Sequence, residues 1–285
     1  GEGVNFSLQD KLLLTRRLDE IGVDFVEGGY PLSNPKDFEY FQAVRRLKLK
    51  HAKIAAFGMT RRKNAPPETD TCLKALLESQ TPVVTIVGKT WDFHVTQVLG
   101  TTLEENLAMI ADSVKYLHGE GRMVLVDLEH FFDGYKDNPE FSLRALEAAV
   151  VNGASHLVLC DTNGGTLPSE IGRIVADVKS HVGNDAIIGI HCHDDTGCAV
   201  ANSMAAVEAG AGHVQGTLNG LGERTGNTNL TTVIPNLQLK LGYQCLPEGR
   251  IERLTAVSHH VAETLNRAVN PQAPYVGSSA FAHKA

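Results

Sequence analysis

The chain has 285 residues, which is enough for about two ordinary domains or for one large barrel of about 250 residues with a small appendage. Hydrophobic residues make up 42% and charged residues 21%, which argues against disorder, and the net charge of −7 argues against nucleic acid as a partner. No membrane span or signal peptide is visible, and five cysteines without a CxxC pair argue against disulfides and favour a reducing cytoplasmic location.

Short apolar runs alternate with helix-like stretches along the whole chain, and the runs begin about 30 residues apart. This alternation predicts parallel βαβ units. The predicted strands are Val23–Glu27, Ala52–Gly58, Val83–Gly88, Met123–Glu129, His156–Asp161, Ala186–His193 and His213–Leu218.

The intervening stretches carry helix signals of their own. Ser7–Gly22 reads as a helix that packs on the first predicted strand. A threonine at position 101 or 102, with a glutamate three residues later, predicts a capping box for the helix that follows. Asn138 stands before a proline and predicts another helix start, and Arg250–Asn266 reads as one more helix after the last strand.

Seven predicted strands fit either a doubly wound sheet or a (β/α)8 barrel seen without its first strand. The polar residues gather at the carboxyl ends of several strands, as in barrel enzymes, whereas an open sheet concentrates its site at one switch point. We therefore predict an α/β protein with a TIM barrel, whose first strand we expect before Gly1. Residues 1–248 would form the catalytic barrel, and residues 249–285 would begin a C-terminal helical subdomain.

The strongest local signal is the pair His191 and His193 at the end of the sixth predicted strand. Side chains two residues apart on a strand point the same way, so both imidazoles would face the barrel mouth and could bind one metal ion. The alternative is a pair of structural histidines inside the barrel. Asp194 and Asp195 follow directly and could orient the rings from behind.

The next strand leads into a loop, Asn219–Asn227, that holds three glycines. Glycines let the backbone approach a bound group closely. Glu223 offers a carboxylate, Arg224 a cation and Asn227 a neutral oxygen ligand, and an Asn oxygen beside two His nitrogens suits Mg, Mn, Co or Zn. The alternative is an ordinary glycine-rich loop.

Four more residues at strand ends are candidates. Glu129 is a possible general base or a structural acid, and Thr162 could bind a substrate carboxylate or cap the next helix. Glu27 opens a glycine-rich loop, and we assign it to substrate binding. Arg61 begins a run of three cations that could receive carboxylate or phosphate groups, or could lie on a solvated loop.

Two motifs resemble those of a known family. The HxHDDxG pattern of residues 191–197 and the NGxGERxGN pattern of Asn219–Asn227 are similar to signatures of the 2-isopropylmalate, homocitrate and citramalate synthases, which are HMG-CoA lyase-like. The resemblance covers essentially the whole chain. The stretches 27–37, 129–134 and 280–284 are most similar to the citramalate synthase branch.

This resemblance implies a TIM barrel that catalyses a metal-dependent condensation of acetyl-CoA with a 2-oxo acid, pyruvate in the citramalate branch. It implies that His191 and His193 bind a divalent metal, with Asn227 at or next to it. Glu129 would be a catalytic or base-supporting carboxylate, and Thr162 would bind the carboxylate of the 2-oxo acid. It also implies a homodimer.

The resemblance leaves several alternative functions open. Within the family these are 2-isopropylmalate synthase, homocitrate synthase and an HMG-CoA lyase-like carbon–carbon lyase. A rival of another class is a non-catalytic regulatory barrel that binds metal or 2-oxo acids. The family signature with a metal-binding aspartate and a catalytic arginine would stand before Gly1, and a further histidine segment would follow Ala285.

Overall fold

Seven parallel strands form one curled sheet in the computed structural model, which describes residues 6–283. Each strand is hydrogen-bonded to its neighbour in chain order, as the βαβ pattern predicts. The predicted strands are all present, with ends that differ by three residues at most. They are β1 (Phe25–Glu27), β2 (Lys53–Met59), β3 (Val83–Lys89), β4 (Met123–Glu129), β5 (His156–Asp161), β6 (Ile187–Cys192) and β7 (His213–Gln215).

The sheet curls so far that its first and last strands approach each other. Phe25 of β1 packs edge-on against His213 of β7, with 5.6 Å between ring centroids, and against His156 of β5 at 5.7 Å. Alternate residues of each strand face the interior. The chain is therefore an α/β barrel of the (β/α)8 type, with seven of its strands within residues 6–283.

Helices cover the outside of the sheet. None within residues 6–283 is both long enough and apolar enough to cross a membrane. The helices are α1 (Leu8–Ile21), α2 (Pro35–Val44), α3 (Thr71–Glu78), α4 (Leu103–Gly119), α5 (Phe131–Asp137), α6 (Pro139–Val150), α7 (Pro168–Val182), α8 (Ala199–Glu208), α9 (Leu230–Pro235) and α10 (Leu254–Thr264).

The predicted helix starts are found, with one difference. Asn138 caps α6 through the backbone N–H of Phe141. Thr102 caps α4 by accepting a hydrogen bond of 3.1 Å from the backbone N–H of Glu105. A capping box would also need a hydrogen bond from the backbone N–H of Thr102 to the Glu105 side chain. That bond is not among those described, because the Glu105 carboxylate pairs with Arg61 instead.

A second, smaller core joins the end of the chain to the barrel. Leu254 and Val257 of α10 pack with Ile21 of α1 and with Leu218, which follows β7. The predicted helix Arg250–Asn266 is shorter in the structure, because its first turn is a 3₁₀ turn. The domain boundary at residue 248 stays a prediction.

Candidate functional site

The two histidines of the HxH motif lie side by side at the carboxyl end of β6. Their ring centroids are 5.3 Å apart. Burial, with a smaller contribution from His191, lowers the pKa of His193 from its ordinary value to about 4. His193 is therefore neutral near pH 7, and a neutral imidazole is the form that binds metals.

Backbone pairing brings Asn227 to these histidines. His193 and Asn227 form an antiparallel bridge, and Thr228 N–H donates to the carbonyl of Cys192 at 2.9 Å. The amide Nδ2 of Asn227 then lies 2.9 Å from His191 Nε2. Gly222 makes room for this, since a Cβ there would lie 1.7 Å from Asn227 Oδ1. The structure thus places the three predicted metal-binding residues next to one another.

The donor set fits a divalent cation as part of its coordination shell. His191 and His193 supply imidazole nitrogens and Asn227 supplies an amide. His193 Nδ1 is buried and has no hydrogen-bond partner among the described residues. Residues 6–283 contain no group of three or more His, Cys, Asp or Glu side chains arranged to hold a metal.

A glutamine and two acids lie behind His191. Gln215 pairs with His191 in the β6–β7 register, and its Oε1 lies 2.7 Å from His191 Nδ1. Its Nε2 donates to Asp127 Oδ1 at 2.9 Å. Burial raises the pKa values of Asp127 and of Glu27 to about 7, and the charge of Asp127 contributes at Glu27. Glu27 is surrounded by protein atoms yet reachable by water, because it lines the open interior of the curled sheet.

Glu129 is ion-paired with Lys89, a residue that the sequence analysis did not single out. The two are register partners at the ends of β3 and β4. Their side chains are 29% and 13% exposed respectively, and burial lowers the pKa of Lys89. A lysine at the inward position of a strand end was a signal that could have found it.

Thr162 is held by the residue that follows Glu129. The backbone N–H of His130 donates to Thr162 Oγ1 at 2.8 Å. His130 has a positive φ of 54°, which is strained for a residue with a side chain. The main-chain carbonyl of Thr162 accepts a bond of 2.6 Å from the Arg224 guanidinium. Hydrogen bonds therefore connect Thr162 to His130, which follows Glu129, and to Arg224 of the glycine-rich loop.

The two acids after His193, which the sequence predicts to orient the rings, make their described hydrogen bonds to other groups. Asp195 pairs with Arg224 through two bonds of 2.8 Å, and Asp194 accepts a bond of 2.9 Å from the backbone N–H of Ala199, at the start of α8. Glu223 is exposed and lies 4.0 Å from Arg224. Asp195 and Arg224 brace the loop, and Gln215 contacts the ring of His191.

The Arg61 side chain is buried in ion pairs with two acidic residues of α4. Its guanidinium pairs with Glu105 at 2.7 Å and with Asp112 at 2.8 Å, and its side chain is only 6% exposed. Its backbone N–H donates to Ser113 Oγ at 2.8 Å. These partners occupy the guanidinium and tie the end of β2 to α4, and the role of Arg61 in substrate binding stays a prediction.

The family described as HMGL-like matches residues 1–261. The chain belongs to the HMGL-like family. It is 53% identical to an (R)-citramalate synthase of Aquifex aeolicus over 99% of this chain, and 53% identical to one of Streptomyces coelicolor over 100%. A 2-isopropylmalate synthase of Ruminiclostridium cellulolyticum is 35% identical over 99% of the chain. The chain spans about half the length of these relatives, 53%, 53% and 54% respectively.

A solved structure confirms the barrel. The HMG-CoA lyase of Pseudomonas aeruginosa superposes with a TM-score of 0.78 at 18% sequence identity, covering 98% of this chain and 92% of that one. This likeness shows the fold.

Proposed function

We propose that the chain is the barrel of an enzyme that condenses acetyl-CoA with pyruvate to give citramalate and free CoA. The observation that carries the choice of substrate is the difference in similarity. Five (R)-citramalate synthases are 48–53% identical to the chain, whereas the 2-isopropylmalate synthases are 34–35% identical.

The reaction forms one carbon–carbon bond and breaks one thioester. The acetyl methyl group loses a proton, and its carbon bonds to the keto carbon of pyruvate, whose oxygen gains a proton. Water then cleaves the thioester, which releases CoA and leaves a carboxylate.

Glu129 is our candidate for the base that removes the methyl proton. It stands at the barrel mouth and keeps 29% of its side chain accessible, so a substrate can reach it. Lys89 holds its carboxylate in place through their ion pair.

Thr162 is our candidate for the pyruvate carboxylate. Its Oγ1 accepts the N–H of His130, and no acceptor for its own hydrogen is found within residues 6–283, so that hydrogen can be donated to a substrate. A hydrogen bond to a charged acceptor is among the stronger kinds and would fix the orientation of the oxo acid. Glu27 faces the same interior and is the proposed wall of the substrate pocket.

His191, His193 and Asn227 are the residues that would hold the divalent cation that we propose as cofactor, Mg, Mn, Co or Zn. Such an ion makes a keto carbon more electrophilic and stabilises the negative charge that develops on its oxygen. The Asn227 amide already touches the His191 ring through Nδ2, and its Oδ1 is the atom that would bind the ion.

A substrate panel tests the proposal. CoA release from acetyl-CoA is measured with pyruvate, 2-oxoisovalerate and 2-oxoglutarate, and we expect the highest kcat/KM with pyruvate. A preference for 2-oxoisovalerate or 2-oxoglutarate would assign the enzyme to 2-isopropylmalate or homocitrate synthesis. Binding of an oxo acid by calorimetry without any CoA release would indicate a regulatory barrel.

We also propose a cytoplasmic homodimer. All five cysteines are free, as expected in a reducing compartment, and the resemblance to the synthase family supports the dimer. Sedimentation equilibrium gives the oligomeric state directly.

A further inference from the structure

His191 lies in the middle of a chain of hydrogen bonds that crosses the barrel interior. On one side, Asn227 Nδ2 lies 2.9 Å from His191 Nε2. On the other side, His191 Nδ1 lies 2.7 Å from Gln215 Oε1, and Gln215 Nε2 lies 2.9 Å from Asp127 Oδ1. The four side chains come from β4, β7, β6 and the loop after β7.

In its ionised form, Asp127 fixes the direction of every bond in this chain. A carboxylate only accepts hydrogen bonds, so Gln215 must turn its NH₂ group toward Asp127 and its carbonyl toward His191. A carbonyl also only accepts, so the hydrogen of the neutral imidazole must sit on Nδ1 of His191. Nε2 then carries the lone pair, which accepts the hydrogen bond that the Asn227 NH₂ group donates.

Burial makes the reversed orientation of the Gln215 amide unfavourable. Asp127 is only 6% exposed, and among the described residues Gln215 is the hydrogen-bond donor to its side chain. A Gln215 amide turned the other way would set its carbonyl against the carboxylate and its NH₂ group against Nδ1–H. The hydrogen bond to Asp127 would be lost whichever tautomer His191 adopts, and the carboxylate would face a carbonyl in a region with little water.

We propose that Gln215 is a positioning residue that holds His191 in the Nδ1–H tautomer and keeps the lone pair of Nε2 on the Asn227 side, where it can bind a divalent cation in place of the Asn227 N–H. This inference rests on the proposed metal-binding role of His191. Partners that orient a metal-binding histidine typically change metal affinity about 10–100-fold when they are replaced.

The test reads the tautomer directly, in the full-length protein with ¹⁵N-labelled histidine and with metal removed by a chelator. Two-bond ¹H–¹⁵N correlation spectra show which ring nitrogen carries the hydrogen, and a His191→Gln variant assigns the signal. Spectra are recorded at about pH 8.5, well above the value of about 7 to which burial raises the pKa of Asp127. Mn²⁺ and Zn²⁺ affinities are measured on the same samples by calorimetry or by competition with a chelator.

Three variants separate the acceptor role from a merely structural one. Gln215→Leu removes the acceptor, whereas Gln215→Glu keeps an oxygen that accepts from Nδ1–H. Gln97→Leu makes the same change at an exposed position and serves as the matched control.

We expect Nδ1–H in the wild type, in Gln215→Glu and in Gln97→Leu. We expect Gln215→Leu to move the hydrogen toward Nε2 and to weaken metal binding about 10–100-fold. An Nε2–H tautomer in the wild type, or an unchanged tautomer in folded Gln215→Leu, would overturn the inference. If Gln215→Leu does not fold, the wild-type spectrum and Gln215→Glu decide. No substrate is used, so a metal-binding protein that shows this behaviour but releases no CoA would refute the proposed function and leave this inference standing.

Discussion

Replacing Glu129 with glutamine tests the proposed base. The substitution keeps the shape of the side chain and removes its charge and its ability to take a proton. A positioned base contributes about 10²–10⁴ in rate, which corresponds to about 2.7–5.4 kcal/mol at 1.36 kcal/mol per tenfold change. We therefore expect kcat to fall about 10²–10⁴-fold while the metal content stays unchanged.

The cost in stability follows from the Lys89 contact. The two side chains are 13% and 29% exposed, so the ion pair lies between a surface pair and a buried pair. The glutamine carbonyl can still accept a hydrogen bond from Lys89, so we expect a loss of about 1–2 kcal/mol in the free energy of unfolding. A loss of that size leaves the protein folded and separates the effect on rate from unfolding.

The assay follows CoA release with acetyl-CoA and pyruvate, with metal content and urea unfolding measured on the same samples. Glu104→Gln is the matched control, because Glu104 pairs with Arg144 at the surface and is 74% exposed. A kcat for Glu129→Gln within a factor of a few of the wild type would refute the reasoning and return Glu129 to a structural role.

Four further changes have defined outcomes. His193→Ala should lose metal and activity together, and unchanged metal content by elemental analysis would contradict its role as a ligand. Gly222→Ala should weaken metal binding in a folded protein, because a Cβ would lie 1.7 Å from Asn227 Oδ1; a wild-type affinity in calorimetry would count against that placement. Arg61→Met should lower the free energy of unfolding by about 1–2 kcal/mol, since Asp112 stays 45% exposed, and should leave KM for pyruvate unchanged; a large rise in KM would restore Arg61 to substrate binding. Burial lowers the pKa of His213 from 6.5 to about 4, so its protonation favours the unfolded chain as the pH falls from 6.5 to 4; His213→Phe should lose less stability over that range in urea titrations, and an equal loss would contradict the shift.

The barrel and the proximity of the candidate metal-binding residues could be predicted from the sequence because both depend on local patterns. Strands and helices alternate at a regular spacing, and side chains two apart on a strand share a face. The pair His191 and His193 follows from that rule alone, and their rings are neighbours in the structure.

The partners of the candidate residues could not be predicted in the same way. Lys89 and Gln215 stand on other strands than the residues they contact, and only the register of the sheet brings them together. Arg61 shows the opposite case, in which a strand-end cation that could bind an anion finds Glu105 and Asp112 on a neighbouring helix. A run of cationic residues in the sequence does not show which of them form ion pairs in the folded protein.

Product analysis tests the central claim most directly. Acetyl-CoA labelled with ¹³C in its methyl carbon is incubated with pyruvate, the protein and a divalent cation, and the products are followed by ¹³C NMR and mass spectrometry. The account predicts that the label appears in the methylene carbon of citramalate, that one CoA is released per citramalate, and that a chelator stops both. Label that stays in acetyl-CoA or appears only in free acetate, with the metal bound and the protein folded, would contradict it.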